Sequence, residues 1–125
     1  MFEGSKMVEI VSHAWELLGE GKFDELAAQY SDDMIMVIPG QNDVISGKSA
    51  FRTALDGIGD ALPMGFEITG MRYCTGDGEI TNIVEWKSEK VPQGSKSAIL
   101  WKFDSDGLIS EERWYVDTEQ WKNAL

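Results

Sequence analysis

The hydrophobic period of this chain changes once, at Pro63, from helical to alternating. Before that point apolar residues recur at three- and four-residue spacings. Met7, Val8, Ile10, Val11, Ala14, Trp15, Leu17 and Leu18 form one face of an amphipathic helix over about Ser5 to Gly19, ended by Gly19 and Gly21. A short second helix, about Lys22 to Tyr30, buries Phe23, Leu26 and Ala27. Met34 to Ile38 reads as a compact apolar strand that Pro39-Gly40 stops. Ser46-Gly47 opens a third helix, about Lys48 to Gly59, with Phe51, Leu55 and Ile58 on one side.

After Pro63, alternation predicts strands at about Met64–Cys74, Glu79–Ser88, Ser95–Phe103 and Leu108–Asp117. Thr75-Gly76-Asp77-Gly78, Pro92-Gln93-Gly94 and Asp104-Ser105-Asp106-Gly107 supply the reversals between them. The tail from Thr118 to Leu125 is either one helical turn or a frayed end. The order is helix, helix, strand, helix and then a four-stranded antiparallel meander. This is an α+β arrangement, with the helices gathered on one face of a twisted sheet. The space between those layers is where a small molecule would sit.

At 125 residues the chain fits one domain spanning 1–125. A formal net charge of −11 repels phosphate backbones and anionic lipid, which argues against nucleic-acid and membrane partners. No apolar run approaches the roughly 18–20 residues of a membrane span, and Met1 to Lys6 lacks the basic-then-apolar order of a signal peptide. Cys74 is the single cysteine, so an intrachain disulfide is impossible and a cytoplasmic location is the simplest expectation. One His and one Cys, without ligand spacing, imply no metal site. The absence of a phosphate loop or dinucleotide fingerprint implies no such cofactor.

Several segments resemble one known family in the same order. They are Gly21-Lys22-Phe23-Asp24-Glu25-Leu26, then Tyr30-Ser31-Asp32-Asp33 leading through Met34–Ile38 to Pro39-Gly40. Gly47-Lys48-Ser49-Ala50-Phe51-Arg52 follows, and Asp106-Gly107-Leu108-Ile109 with Glu111, Arg113, Tyr115 and Asp117 completes the set. Together these are similar to the nuclear transport factor two-like superfamily, and within it to the SnoaL-like group of polyketide cyclase and ketosteroid isomerase relatives. The resemblance implies a cone-shaped, curved antiparallel β-sheet wrapped around three N-terminal helices. It also implies a cofactor-independent isomerase or cyclase, or else a non-catalytic binder; a homodimer through the sheet face is expected from the residues of that face. Fold alone does not choose among them.

The family's chemistries map unevenly onto this chain. The isomerase tyrosine, aspartate base and acid donor fall on Ala14, Ile38 and Ile99, none of which can move a proton. A one-residue slip would bring His13 onto the first of these positions. The limonene-type epoxide hydrolases carry a Trp and an acid two apart on the last strand. Glu112 and Trp114 hold these in exchanged order, and Ile83-Val84-Glu85 stands where an Arg-x-Asp pair is expected. A cyclase-type proton transfer is the least contradicted chemistry, with Glu112 first and His13 or Asp117 as helpers.

Strand parity groups Glu112 with Leu108, Ser110, Trp114 and Val116 on one side of the last strand, and sets Ile109 on the other; the resemblance implies that the Glu112 side faces the pocket. Each acid and the histidine has a plainer reading: Glu112 at the rim or ion-paired, His13 at a surface edge, Asp117 capping the tail. Trp86, Trp101 and Trp114 lie on three successive strands and would line one cavity with Asn82, Met36, Met64, Phe51, Leu55 and Phe66. The expected ligand is a small apolar organic molecule. Alternatively the same residues make a filled core, or the outer sheet face, with Leu100, Met71 and Tyr73, makes a dimer contact.

Overall fold

A computed structural model describes residues 3–37 and 44–125. Helix α1 (Gly4–Gly19) buries Met7, Val11, Ala14 and Leu17, the four- and three-residue steps of a single stripe. Helix α2 (Phe23–Ala27) is one short turn that buries Leu26 and Ala27. Strand β1 (Tyr30–Val37) follows, then a three-residue strand β2 (Val44–Ser46) that the alternation did not reveal. The expected stop at Pro39-Gly40, and Ile38, lie outside the described residues.

Gly47, at φ +92°, turns the chain from β2 into helix α3 (Lys48–Leu55), which buries Phe51 and Leu55. The expected single third helix breaks at Asp56-Gly57, and a separate turn, α4 (Ile58–Ala61), completes it. The meander then runs through β3 (Glu67–Thr75), β4 (Glu79–Lys87), β5 (Ser95–Phe103) and β6 (Ile109–Tyr115). The tail folds as helix α5 (Thr118–Ala124), with Asp117 accepting from the Gln120 backbone N–H at 3.0 Å as its cap.

The sheet order is β2-β1-β6-β5-β4-β3. The meander is antiparallel as expected, but β1 joins β6 in parallel, pairing Met36 with Glu112. The α+β arrangement is thus built on a curved, unclosed mixed sheet. Among the described residues, no helix is long and apolar enough to cross a membrane.

Two register shifts decide which side chains face inward. Across β5 and β6, Lys102 pairs with Glu111 but Phe103 pairs with Ile109. Ser110 is therefore an extra residue, and its hydroxyl donates to the Lys102 carbonyl at 3.2 Å. The bulge puts Ile109 and Glu112 on the same inner face, with Ile109 fully buried. Strict alternation had set Ile109 outside. Across β3 and β4, Ile68 pairs with Trp86 and Gly70 with Glu85, leaving Thr69 extra. Met71 and Tyr73 then stand opposite Val84 and Asn82, and they pack against the helix-covered core. They are not on the outer face where alternation placed them.

Side chains bury in two clusters. The larger joins α1, α2 and α3 to the inner face of β1, β4, β5 and β6. The smaller lies under α5 and unites Trp86, Val91, Trp121 and Ala124, with Leu62, Phe66, Trp114 and Val116 at its edge.

Candidate active site

Between α1, α3, α4 and the inner face of the sheet is a cavity of about 40 Å³. Helix α1 contributes Ala14, Trp15 and Leu18, α2 contributes Leu26, and α3 contributes Phe51 and Leu55. Ile58 and Leu62 come from α4 and its end, Tyr30 and Met36 from β1, Trp101 from β5, and Glu112 and Trp114 from β6. The wall is almost wholly hydrocarbon and aromatic. Its volume exceeds the roughly 10–15 Å³ that one water requires, yet it is smaller than a six-membered ring. A larger occupant must displace lining side chains, and Met36 is the most adaptable of them.

Glu112 is the one acid buried among the described residues, at 4% exposure. It stands on the inner face of β6, paired with Met36 on β1 and Trp101 on β5. Two donors hold its carboxylate. The Tyr30 phenol donates to Oε1, and the Trp114 indole N–H donates to Oε2 at 2.6 Å. Tyr30 is itself buried and packs on Phe51, with ring centroids 4.3 Å apart.

Burial dominates the electrostatics. Removing Glu112 from water raises its pKa above the ordinary 4.5, while the bonds from Tyr30 and Trp114 favour the anion and pull it partly back. The Tyr30 hydroxyl is pushed well above its usual 10.0, first by burial and then by the facing charge and hydrogen bond of Glu112. The phenol therefore stays protonated as donor, and Glu112 is the group poised to exchange a proton. A carboxylate offers about four acceptor directions, so two bonds leave it with spare capacity.

Trp101, Trp114, Met36, Phe51 and Leu55 meet Glu112 around this cavity. Trp86 and Phe66 do not. Their rings lie 5.5 Å apart in the second cluster, where Trp121 inserts 5.3 Å from Trp86 and 5.9 Å from Phe66. The Trp86 N–H is used internally, donating to Ser97 Oγ at 3.0 Å. The expected convergence of three indoles thus reduces to two, because α5 supplies Trp121 as the third neighbour of Trp86. Met64 is 69% exposed.

Asn82 is fully buried beneath the cavity wall. Its Oδ1 accepts from Trp15 Nε1 at 2.9 Å, and its Nδ2 donates to the Arg72 carbonyl at 3.3 Å. It fixes a wall residue. The His13 side chain is 53% exposed and lies 3.7 Å from Glu16, outside the cavity lining. The apolar stripe passes through Ala14 and leaves His13 on the neighbouring face. Asp117 serves α5 as its cap. Glu85 faces Lys96 at 3.7 Å and makes no pair with Glu112.

Tyr30 and Trp15 were not singled out in the sequence. Alternation gives no signal for Tyr30, because the register of β1 shifts between Tyr30 and Ile35. Among the described residues, no group of three or more His, Cys, Asp or Glu side chains is placed to hold a metal ion.

No family model matches the sequence, and no curated protein matches it at a significant level. Solved structures do resemble it. A nuclear transport factor two-like protein from Burkholderia xenovorans superposes with a TM-score of 0.78 at 14% identity, covering 99% of this chain and 98% of that one. A candidate polyketide cyclase from Xanthomonas campestris pv. campestris gives 0.75 at 15% identity, with 96% of each chain covered. An epoxide hydrolase/cyclase-like enzyme with a role in pyran ring formation in the polyether salinomycin gives 0.71 at 16% identity, covering 92% and 93%. The chain has the nuclear transport factor two-like fold shared by these proteins.

Proposed function

We propose that this chain binds a small, uncharged ring compound carrying a carbonyl and moves a proton on it, as a cofactor-independent isomerase or cyclase of SnoaL-like type. The observation that carries this reading is Glu112: a buried carboxyl on the wall of an apolar cavity, its pKa raised by desolvation. As the anion, Glu112 removes a proton from the carbon next to the carbonyl, and the C–H electron pair moves into an enolate. The resulting carboxylic acid returns that proton to the enolate oxygen, or to the far carbon where a C=C bond extends the enolate, so atoms and charge balance with no co-reactant. A raised pKa brings the acid and base forms closer in energy near neutral pH, which favours both half-reactions. The names of the cyclase-like relatives agree with chemistry of this class.

Deuterium exchange at the α-carbons of cyclohexanone and 2-tetralone in D2O, followed by proton NMR, tests it without knowledge of the natural product. Catalysed exchange should fall at least about 100-fold in Glu112→Gln. Equal exchange in the two proteins removes the proton-transfer reading.

A second reading, binding without turnover, is favoured by the two donors already seated on the Glu112 oxygens, which make the carboxylate a cross-link between β1 and β6. Saturable binding of 2-tetralone with no exchange above buffer would select it. On the outer face of the sheet, Ile83, Ala98 and Leu100 are half-buried and Tyr115 is exposed, which supports a homodimer through that face. Light scattering that gives a monomer mass would exclude this assembly. The unpaired Cys74 supports a reducing, cytoplasmic compartment.

A further inference from the structure

The cavity wall holds four side-chain donors that can be compared directly. Tyr30 and Trp114 give their protons to Glu112, and Trp15 gives its own to Asn82. The fourth, the Trp101 indole N–H, is buried and has no hydrogen-bond partner. Buried donors are rarely left this way, because the group loses its water and gains nothing in return. The loss is local to the site: Trp101 is 3% exposed, lines the cavity, and is the direct cross-strand partner of Glu112 on β5 and β6.

We infer that the ligand supplies the missing acceptor, with its carbonyl oxygen taking the Trp101 N–H. This rests on the pocket reading above and adds a specificity residue to it. Trp101 and Glu112 stand side by side on paired strands. Both line the one cavity, so in the proposed pose the oxygen sits at the indole N–H with its adjacent α-carbon toward the carboxylate, and a donor at that oxygen stabilises the enolate charge as it forms. The Trp101 nitrogen is sealed behind the present wall, so this pose requires the lining side chains to move aside as a ring enters the cavity of about 40 Å³ and to bring the oxygen onto the N–H. The ligand class follows: neutral, because an apolar wall beside a buried acid disfavours anions, and with one acceptor oxygen next to a C–H.

The test compares cyclohexanone with methylenecyclohexane, a ring of the same size without the acceptor oxygen. Binding to wild type and to Trp101→Phe is followed by NMR titration. Phenylalanine keeps an aromatic wall and removes the N–H. Cyclohexanone affinity should fall about fivefold in the variant, the usual worth of one neutral hydrogen bond, while methylenecyclohexane affinity is unchanged. In wild type, the Trp101 indole proton should move downfield with the ketone and not with the alkene, a readout that needs no variant to fold.

Equal weakening of both compounds, or no downfield movement with bound ketone, overturns the assignment. A wild type that binds neither compound overturns the pocket reading with it. Loss of exchange selectivity for Glu112, with the Trp101 results intact, removes proton transfer alone.

Discussion

The Tyr30 phenol donates to the buried carboxylate of Glu112 across the parallel β1–β6 pairing. This bond ties the first strand to the last strand of the meander, and it fixes one oxygen of the only buried acid among the described residues. In Tyr30→Phe that oxygen loses its donor. The variant should be about 1–3 kcal/mol less stable at neutral pH, and the Glu112 pKa should rise further, since one of the two bonds that lower it is gone. Urea unfolding and a carboxyl titration check the two effects separately.

The pH dependence of stability has a definite sign. Glu112 has a raised pKa when folded, against 4.5 for the ordinary group. Between those two values the folded chain retains a proton that the unfolded chain has released. The stabilisation from this linkage is fully present below the unfolded pKa and is lost as pH rises through the folded one. Other carboxylates titrate in the same region, so the difference between wild type and Glu112→Gln isolates the effect. Going upward from pH 4.5, wild type should lose stability relative to Glu112→Gln. A difference that stays flat would mean that Glu112 does not change its affinity for a proton on folding.

The Ser110 bulge lets Ile109 and Glu112, three positions apart, face the same side of β6. Deleting Ser110 leaves them two positions apart on a regular ladder, still on one face, so both the buried isoleucine and the Tyr30–Glu112 pair are kept. The deletion should therefore stay within about 1 kcal/mol of wild type, the worth of the lost Ser110–Lys102 hydrogen bond. Ser110→Ala keeps the extra residue and should be close to neutral. Denaturant midpoints for the two variants make the comparison.

Trp121 connects the tail to the site. Its ring lies 5.9 Å from Trp114, whose N–H holds Glu112. Trp121→Ala should cost about 3–5 kcal/mol, the usual range for emptying a buried tryptophan site. It should also loosen Trp114 enough to broaden its indole NMR signal.

The sequence made much of this arrangement legible, for identifiable reasons. The period change at Pro63 located the meander, and β5 matches its expected span of Ser95–Phe103 to the residue. Trp101 follows directly from that alternation, since Ser97, Ile99 and Trp101 are all buried. Trp86 shares the buried face of its strand with Asn82 and Val84, yet it serves another cluster. Parity reports a side chain's face and says nothing of what the tail will place against it. Ile109, Met71 and Tyr73 were assigned to the wrong face because Ser110 and Thr69 each insert a residue that hydrophobic alternation does not mark. Tyr30 escaped notice because it reads as the end of a helix, whereas it begins β1. Its partnership with Glu112 spans 82 positions, beyond the reach of any local pattern.

The most direct measurement is a carbon-13 NMR titration of the glutamate side-chain carboxyls, with Glu112→Gln used to assign one signal. A resonance that titrates above 4.5, rises further in Tyr30→Phe and is missing from Glu112→Gln is the expected result. A Glu112 carboxyl that titrates at or below that value, with no response to Tyr30→Phe, would contradict the buried, proton-holding pair on which the functional reading stands.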